Sequence, residues 1–347
     1  MQHLNGGKRV TLQDISKRTG YSLTAVSRAL RNMSDIGPEA TSHIQQVAKE
    51  MGYVANQTAV ALRYGRTNII TVIVVNLTNP YFSIITNLIQ LAAYNMGYSL
   101  VIVCSRDDPS LEQQLVEQAI ARRSDGVLLF PSHSSGKSIE MLENAHIPFV
   151  LLASMLPPYQ TDSVIIDDEQ GGYIAGMHLI EAGCRNVAFL ATSNSAPSYA
   201  PRCKGFLRAC NEAGINTENR HLFTVNYEEN QLIQNEGISL DLLLPKMKHE
   251  GVEGLFVFCD IEAWRLMAFL QRSGQFSIND FKIVSFDNID SALLSPIPLC
   301  SVDCSLEYMA QKSIELLRDR ILGDDQPPQT IICPVKMICR NSCHSAK

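Results

Sequence analysis

Residues 11–31 read TLQDISKRTGYSLTAVSRALR, and the fold of the first part of the chain is decided there. Thr11-Leu-Gln-Asp14 is a capping box, a threonine followed at short range by polar acceptors, and it opens an apolar-periodic helix. Leu12 and Ile15 carry the period to Gly20, a natural helix stop. A second start follows at Ser22, with Ala25, Val26, Ala29 and Leu30 on one face and Thr24, Ser27, Arg28 and Arg31 on others. A third helix begins near Gly37-Pro38-Glu39, with proline in its first turn, and runs through Ile44, Val47, Ala48 and Met51 to Gly52. Two short helices separated by a three- or four-residue turn containing glycine describe a helix-turn-helix, whose second helix enters the major groove of DNA.

Charge supports that reading over a small three-helix bundle with no nucleic-acid role. The whole 347-residue chain has a net charge of −6. Residues 1–66 nevertheless hold nine Lys/Arg against four acids, a net +5, which leaves −11 on the rest. A small basic head on a large acidic body suits a DNA reader with an appended domain. The length calls for two or three domains, and 46% hydrophobic residues can fill their cores.

The segments VTLQDISKRTGYSLTAVSRALRN (10–32) and IGPEATSHIQQVAKEMGYVANQTAVALR (36–63) resemble the head and hinge of the LacI/GalR family of transcription regulators over their whole length. The resemblance implies a repressor that binds a pseudo-palindromic operator as a homodimer under the control of a small-molecule effector. It places Leu23, Thr24 and Arg28 at the positions that reach base edges. Arg28 can hold guanine O6 and N7 with two bonds, whereas Leu23 and Thr24 suit thymine methyls or shape. Thr11, Ser22 and Ser27 are hydroxyl donors placed for phosphates. In the hinge the resemblance puts Asn56, Ala59 and Leu62 against DNA, with Leu62 as the apolar wedge of paired minor-groove helices. Two departures stand out: Ala55 replaces a usual proline, and Val60 replaces a frequent arginine.

Beyond the hinge, strand-like and helix-like stretches alternate. Apolar runs occur at 70–75, 99–104, 126–130, 148–152, 187–191, 254–258 and 281–286, separated by helical stretches at 81–96, 110–122, 169–182, 199–213, 261–272 and 306–322. Such alternation implies parallel sheets covered on both faces, and about a dozen units overfill one sheet, so two lobes are expected. The expected fold is therefore an all-α helix-turn-helix head plus an α/β sensor of two doubly wound parallel-sheet lobes. The resemblance makes that core periplasmic-binding-protein-like. The expected layout is a head at 8–54, a hinge and linker at 55–67 and a sensor at 68–347. Chain crossings near 162, 291 and 324 divide the sensor into lobe 1 (68–162 plus 291–324) and lobe 2 (163–290 plus 325–347).

Open parallel sheets bind ligands at the carboxyl ends of their strands. Asn79-Pro-Tyr81-Phe82 follows the first run and resembles the family's NPFF-type motif, with rings able to stack on a sugar or base or simply to pack the core. Arg202, in RCKGF, matches the family's effector-binding arginine, and Asp287, in SFDN, its strand-end aspartate. Asp260 and Trp264 are further wall candidates. Ala153 and Cys259 stand where many sugar-responsive members place an aspartate and an asparagine. A sugar or sugar-derived metabolite is the expected effector.

Other classes fare worse. No GxGxxG or GxxxxGK[ST] follows a strand, and there is no nucleophile elbow or HExxH, so neither catalytic residues nor a cofactor is expected. A solute-binding transport protein could share the two-lobe core, but MQHLNGGKR lacks a signal peptide's apolar stretch and a DNA head precedes the core. A soluble, cytoplasmic protein with no membrane partner is expected. Ten cysteines without a CxxC pair read as reduced, mostly buried thiols. His133, His146 and His178 show no metal spacing, and the tail Cys333, Cys339, Cys343 and His344 reads as a frayed terminus rather than a zinc or redox cluster.

Overall fold

A computed structural model describes residues 10–54, 66–132, 135–192, 196–226, 237–274, 276–289 and 298–343. The chain divides into two units, Met1–Thr67 and Asn68–Lys347.

Among the described residues the first unit contains three helices, α1 (Leu12–Thr19), α2 (Leu23–Ala29) and α3 (Pro38–Glu50). Thr11 caps α1 reciprocally with Asp14: the Asp14 N–H donates to Thr11 Oγ1 at 3.3 Å, and the Thr11 N–H donates to Asp14 Oδ2 at 2.9 Å. Gly20 closes the helix at φ +78°, a conformation a Cβ would strain. Ser22 caps α2 by accepting the Ala25 N–H at 3.2 Å. Ile15, Val26, Ala29, Ile44 and Ala48 meet in one core that holds the three helices together. A core this small leaves little reserve against truncation of any member.

The second unit carries two sheets. In the first, β1 (Ile69–Val74), β2 (Ser99–Cys104), β3 (Gly126–Leu129), β4 (Phe149–Leu152), β5 (Ser163–Ile166) and β12 (Thr330–Cys333) lie in the order β12-β5-β4-β3-β1-β2, all parallel. The second contains β6 (Val187–Ala191), β7 (Arg220–Asn226), β8 (Ile238–Ser239), β9 (Gly254–Val257), β10 (Lys282–Asp287), β11 (Cys300–Asp303) and β13 (Lys336–Ile338). Their order is β13-β11-β10-β9-β6-β7-β8, and only β13 runs antiparallel to its neighbour. Between the strands run α4 (Pro80–Asn95), α5 (Pro109–Ala121), α6 (Gly136–Asn144), α7 (Asp168–Glu181), α8 (Tyr199–Glu212), α9 (Leu240–His249), α10 (Asp260–Ser273) and α11 (Leu306–Ile321).

The continuous apolar runs are explained by burial on both faces. Successive side chains of a strand point to opposite sides, so Ile70, Val72 and Val74 of β1 pack with α4 and α11, while Ile73 packs with α5 and α6. In the second sheet Phe189 and Phe256 face α7 and α8, and Leu190 and Val257 face α9 and α10.

All three crossings between sheets fall later than expected. The chain leaves the first sheet after β5, at 167, returns to it after β11, near 304, and leaves again after β12, near 334. The expected positions of 162, 291 and 324, which came from the family resemblance, each precede one further short strand. Strands β5, β11 and β12 are only four residues each and carry Ser163, Ser301 and Thr330, so their apolar signal is weak. Helices α6 and α9 were likewise not anticipated.

Helices α7 and α8 touch backbone to backbone. A Cβ on Gly172 would lie 2.0 Å from the Arg202 carbonyl oxygen, and one on Gly205 1.9 Å from that of Glu169. This contact fixes the Arg202 side chain against the start of α7.

Candidate functional site

In the head, Leu23 and Thr24 are exposed at the first turn of α2, and Ser27 and Arg28 follow one turn later on the same side. Thr11 and Ser22 spend their oxygens on the caps and remain exposed at helix N-termini, where backbone N–H groups favour phosphate. Arg28 is paired with Asp35 at 2.7 Å, both side chains being more than a third exposed. That pair must open before the guanidinium can grip a base, at a modest cost because both groups are wet. Asn56, Ala59 and Leu62, with the departures Ala55 and Val60, lie outside the described residues.

In the second unit, the carboxyl ends of the two sets of strands face a cavity of about 220 Å³. From the first sheet's side come Asn79, Tyr81 and Phe82 of the β1–α4 junction, with Phe130, Leu152, Ala153 and Ser154. From the other come Asp168, Ser198, Arg202, Phe258, Cys259 and Asp287. Asn79 caps α4 by accepting the Tyr81 N–H at 3.0 Å, which turns the following rings into the cavity. Phe82 meets Tyr81 and Phe130 edge to face, with centroids 5.1 and 5.4 Å apart.

Arg202 is the centre of the polar wall. It is 4% exposed, donates from Nε to Asp168 Oδ1 at 2.7 Å and from Nη1 to the Phe258 carbonyl at 2.7 Å, and lies 3.6 Å over the Phe286 ring. Among the described residues these bonds leave Nη2 for a ligand. Burial raises the Asp168 carboxyl above its ordinary range, and the Arg202 charge opposes that rise. Burial also pushes Asp287 well above its ordinary range, again opposed by Arg202. Asp287 lines the same cavity. It ends β10 at φ +106°, a strained conformation of the kind found at ligand sites.

Of the seven expected wall residues, Asn79, Tyr81, Phe82, Arg202 and Asp287 line the cavity, and so do Ala153 and Cys259. Asp260 does not. It is 1% exposed and accepts from the Ser285 hydroxyl, the Ser301 hydroxyl at 2.7 Å and the Ile289 N–H at 2.8 Å, tying together β10, β11 and the turn after Asp287. As the first residue of a helix it turns under the sheet, so its role is to brace the Asp287 turn. Trp264 packs between the helices and the sheet and is not in the cavity wall.

Asp168 was missed. Its signal was the run VIIDD at 164–168, an apolar strand ending in carboxylates like SFDN, overlooked because β5 is short. Asp107, Ser154 and Ser198 are further polar wall residues not anticipated. Among the described residues no two cysteines are joined in a disulfide.

A helix-turn-helix unit followed by two parallel sheets with a cavity at their facing strand ends defines a ligand-responsive DNA-binding regulator. Residues 67–340 match the family described as periplasmic binding proteins and sugar binding domain of LacI family, and residues 11–56 match bacterial regulatory proteins, lacI family. The chain belongs to the LacI family. It is 27% identical over 338 residues to the HTH-type transcriptional regulator DegA of Bacillus subtilis, covering 96% of this chain and 98% of that one. It is 26% identical over 335 residues to the transcriptional repressor PurR of Actinobacillus pleuropneumoniae serotype 3, with the same two coverages of 96% and 98%. The lac repressor dimer bound to operator and the anti-inducer ONPF matches in fold with a TM-score of 0.80 at 21% identity, over 97% of this chain and 100% of that one. The protein is a DNA-binding transcription regulator with an effector-binding core, and its relatives are not enzymes. Among the described residues no helix is long and apolar enough to cross a membrane.

Proposed function

We propose that the protein is a cytoplasmic, dimeric repressor that binds a pseudo-palindromic operator and releases or tightens it when a small neutral polyol, of monosaccharide size, fills the cavity. The observation that carries the ligand class is the charge of the polar wall. Among the described residues of the wall, one guanidinium, already paired with Asp168, stands with the further carboxyl of Asp287. A phosphorylated or acidic ligand would meet a guanidinium whose charge is already compensated, whereas sugar hydroxyls can donate to these carboxyls and accept from Arg202 Nη2. Phe82 and Phe258 supply apolar faces for the ring. At about 220 Å³ the cavity is smaller than a typical drug-sized site, which favours one ring over two.

Two heads per dimer each read half of the operator. Leu23, Thr24 and Arg28 read bases, Thr11, Ser22 and Ser27 hold phosphates, and Asn56, Ala59 and Leu62 act in the hinge. The ligand acts through unequal affinity for two arrangements of the lobes, which move about the three crossings at 167, 304 and 334. A thermal-shift screen of neutral monosaccharides, sugar acids, nucleosides and phosphosugars tests the ligand class. The expected result is stabilisation by a neutral sugar that vanishes in Arg202→Ala and Asp287→Ala. Stabilisation by phosphosugars alone would reverse the assignment.

A further inference from the structure

The segment 340–343 is stitched onto the second sheet rather than frayed. The Asn341 and Ser342 N–H groups donate to the Pro298 carbonyl at 3.1 Å, and the Ile283 N–H donates to the Ser342 carbonyl at 3.0 Å. The Ser342 hydroxyl accepts the Cys300 N–H at 2.7 Å and donates to the Ile283 carbonyl at 2.6 Å. This places Cys343, 1% exposed, beside Cys300, 0% exposed, on the face of the sheet covered by α7. His178 of α7 completes a group whose three ligand atoms all lie within 4.8 Å of one another. His178 had shown no metal spacing in the sequence because its neighbours come from 122 and 165 residues further along the chain. His344, once grouped with Cys339 and Cys343, lies outside the described residues.

Two details point to a ligand. The Arg340 N–H donates to Cys300 Sγ at 3.1 Å, the kind of contact that favours a thiolate acceptor. The His178 ring brings one nitrogen within 4.8 Å of both sulfurs, and its Nε2 is shut off from water. We propose that His178, Cys300 and Cys343 bind one thiophilic d10 cation, Zn²⁺, which fastens the C-terminal segment to the second lobe.

A tetrahedral zinc with Zn–S bonds of about 2.3 Å and a Zn–N bond of about 2.0 Å separates its ligand atoms by about 3.5–3.8 Å, within small side-chain movements of the present arrangement. On binding, each thiol releases its proton to solvent and forms a sulfur–metal bond, and Cys343 gives up its 3.1 Å hydrogen bond to the Ile283 carbonyl. Three protein ligands leave a fourth position for water. The site is also linked to the effector cavity: Arg340, from the fastened segment, donates to the Leu299 carbonyl at 2.8 Å and to Asn288 Oδ1 at 2.7 Å, beside Asp287.

The test uses the reduced, chelator-stripped full-length protein titrated with Co²⁺ as a spectroscopic stand-in, then with Zn²⁺. The expected result is one Co²⁺ per chain, with visible bands of tetrahedral cobalt and thiolate charge-transfer bands in the near ultraviolet, bleached by one equivalent of Zn²⁺. His178→Gln, Cys300→Ser and Cys343→Ser should each lose these bands while Cys104→Ser keeps them. His178→Gln leaves both thiols in place, and its circular dichroism and operator binding report whether it folds. Absence of the bands in the reduced wild type, or their survival in folded His178→Gln and Cys343→Ser, would overturn the site. Formation of a Cys300–Cys343 disulfide in a protein that takes no Co²⁺ when reduced would do the same.

Discussion

Replacing Asp168 by asparagine keeps the shape of the cavity wall and removes the charge that compensates Arg202. Both side chains are nearly closed off, at 7% and 4% exposure, and meet at 2.7 Å. Breaking a buried pair on one side typically costs about 3–5 kcal/mol, because the surviving charge is stranded. Here the stranded guanidinium keeps the Phe258 carbonyl, the Phe286 face and Asp287, whose ionisation it then favours. The loss should therefore sit at the lower end, about 3 kcal/mol. Arg202→Met in the same chain removes the stranded charge, and the double variant should recover about 1–3 kcal/mol relative to additivity. Urea unfolding of wild type, both single variants and the double variant at neutral pH gives the cycle. If Asp168→Asn is within about 0.5 kcal/mol of wild type, the pair does not hold the start of α7 against α8 and the reading of this wall is wrong.

Three other outcomes follow from the same structure. Burial lifts the Glu262 carboxyl to about 7 from an ordinary 4.5, against the Thr192 hydroxyl and N–H that favour its charge. The folded state then holds this proton more tightly, so the contribution is fully present below about 4.5 and is lost as pH rises through about 7; at about 1.4 kcal/mol per unit it reaches roughly 3 kcal/mol. Asp260, lifted to about 6, adds to the same trend, and Glu262→Gln should flatten the decline seen by urea unfolding between pH 5 and pH 8. Gly205→Ala drives a methyl into the Glu169 carbonyl and should destabilise by about 3 kcal/mol or more, with loss of effector binding, because only movement of a whole helix relieves a backbone clash. Asp35→Ala releases Arg28 and should tighten operator binding by up to about 1 kcal/mol in fluorescence anisotropy, whereas Arg28→Ala should cost about 1–3 kcal/mol and relax one base pair.

The head was legible almost residue by residue, since caps, stop and apolar period are all local: Thr11, Gly20, Ser22 and Pro38 act where the sequence puts them. The sensor's long central strands were equally plain because parallel strands buried on both faces are continuously apolar. Its crossings were not, because β5, β11 and β12 are short and partly polar and owe their pairing to neighbours far along the chain. The cavity divides the same way. Strand-end residues such as Asp287 could be found, but Asp168 depended on an unseen strand, and the inward turn of Asp260 depends on serines 25 and 41 residues away. The tail showed the limit most clearly: Cys343 finds Cys300 and His178 rather than its sequence neighbour Cys339.

The central claim is that occupancy of this cavity sets the affinity for operator. It is tested most directly by anisotropy titration of a pseudo-palindromic duplex with the full-length protein, with and without the sugar that stabilises it, in wild type and Asp287→Asn. A coupling of about 1–3 kcal/mol predicts a 5- to 150-fold change in Kd for wild type and none for the variant, which should still bind DNA. A sugar that stabilises the wild type yet leaves its operator Kd unchanged, or that shifts the Asp287→Asn variant equally, would contradict the account.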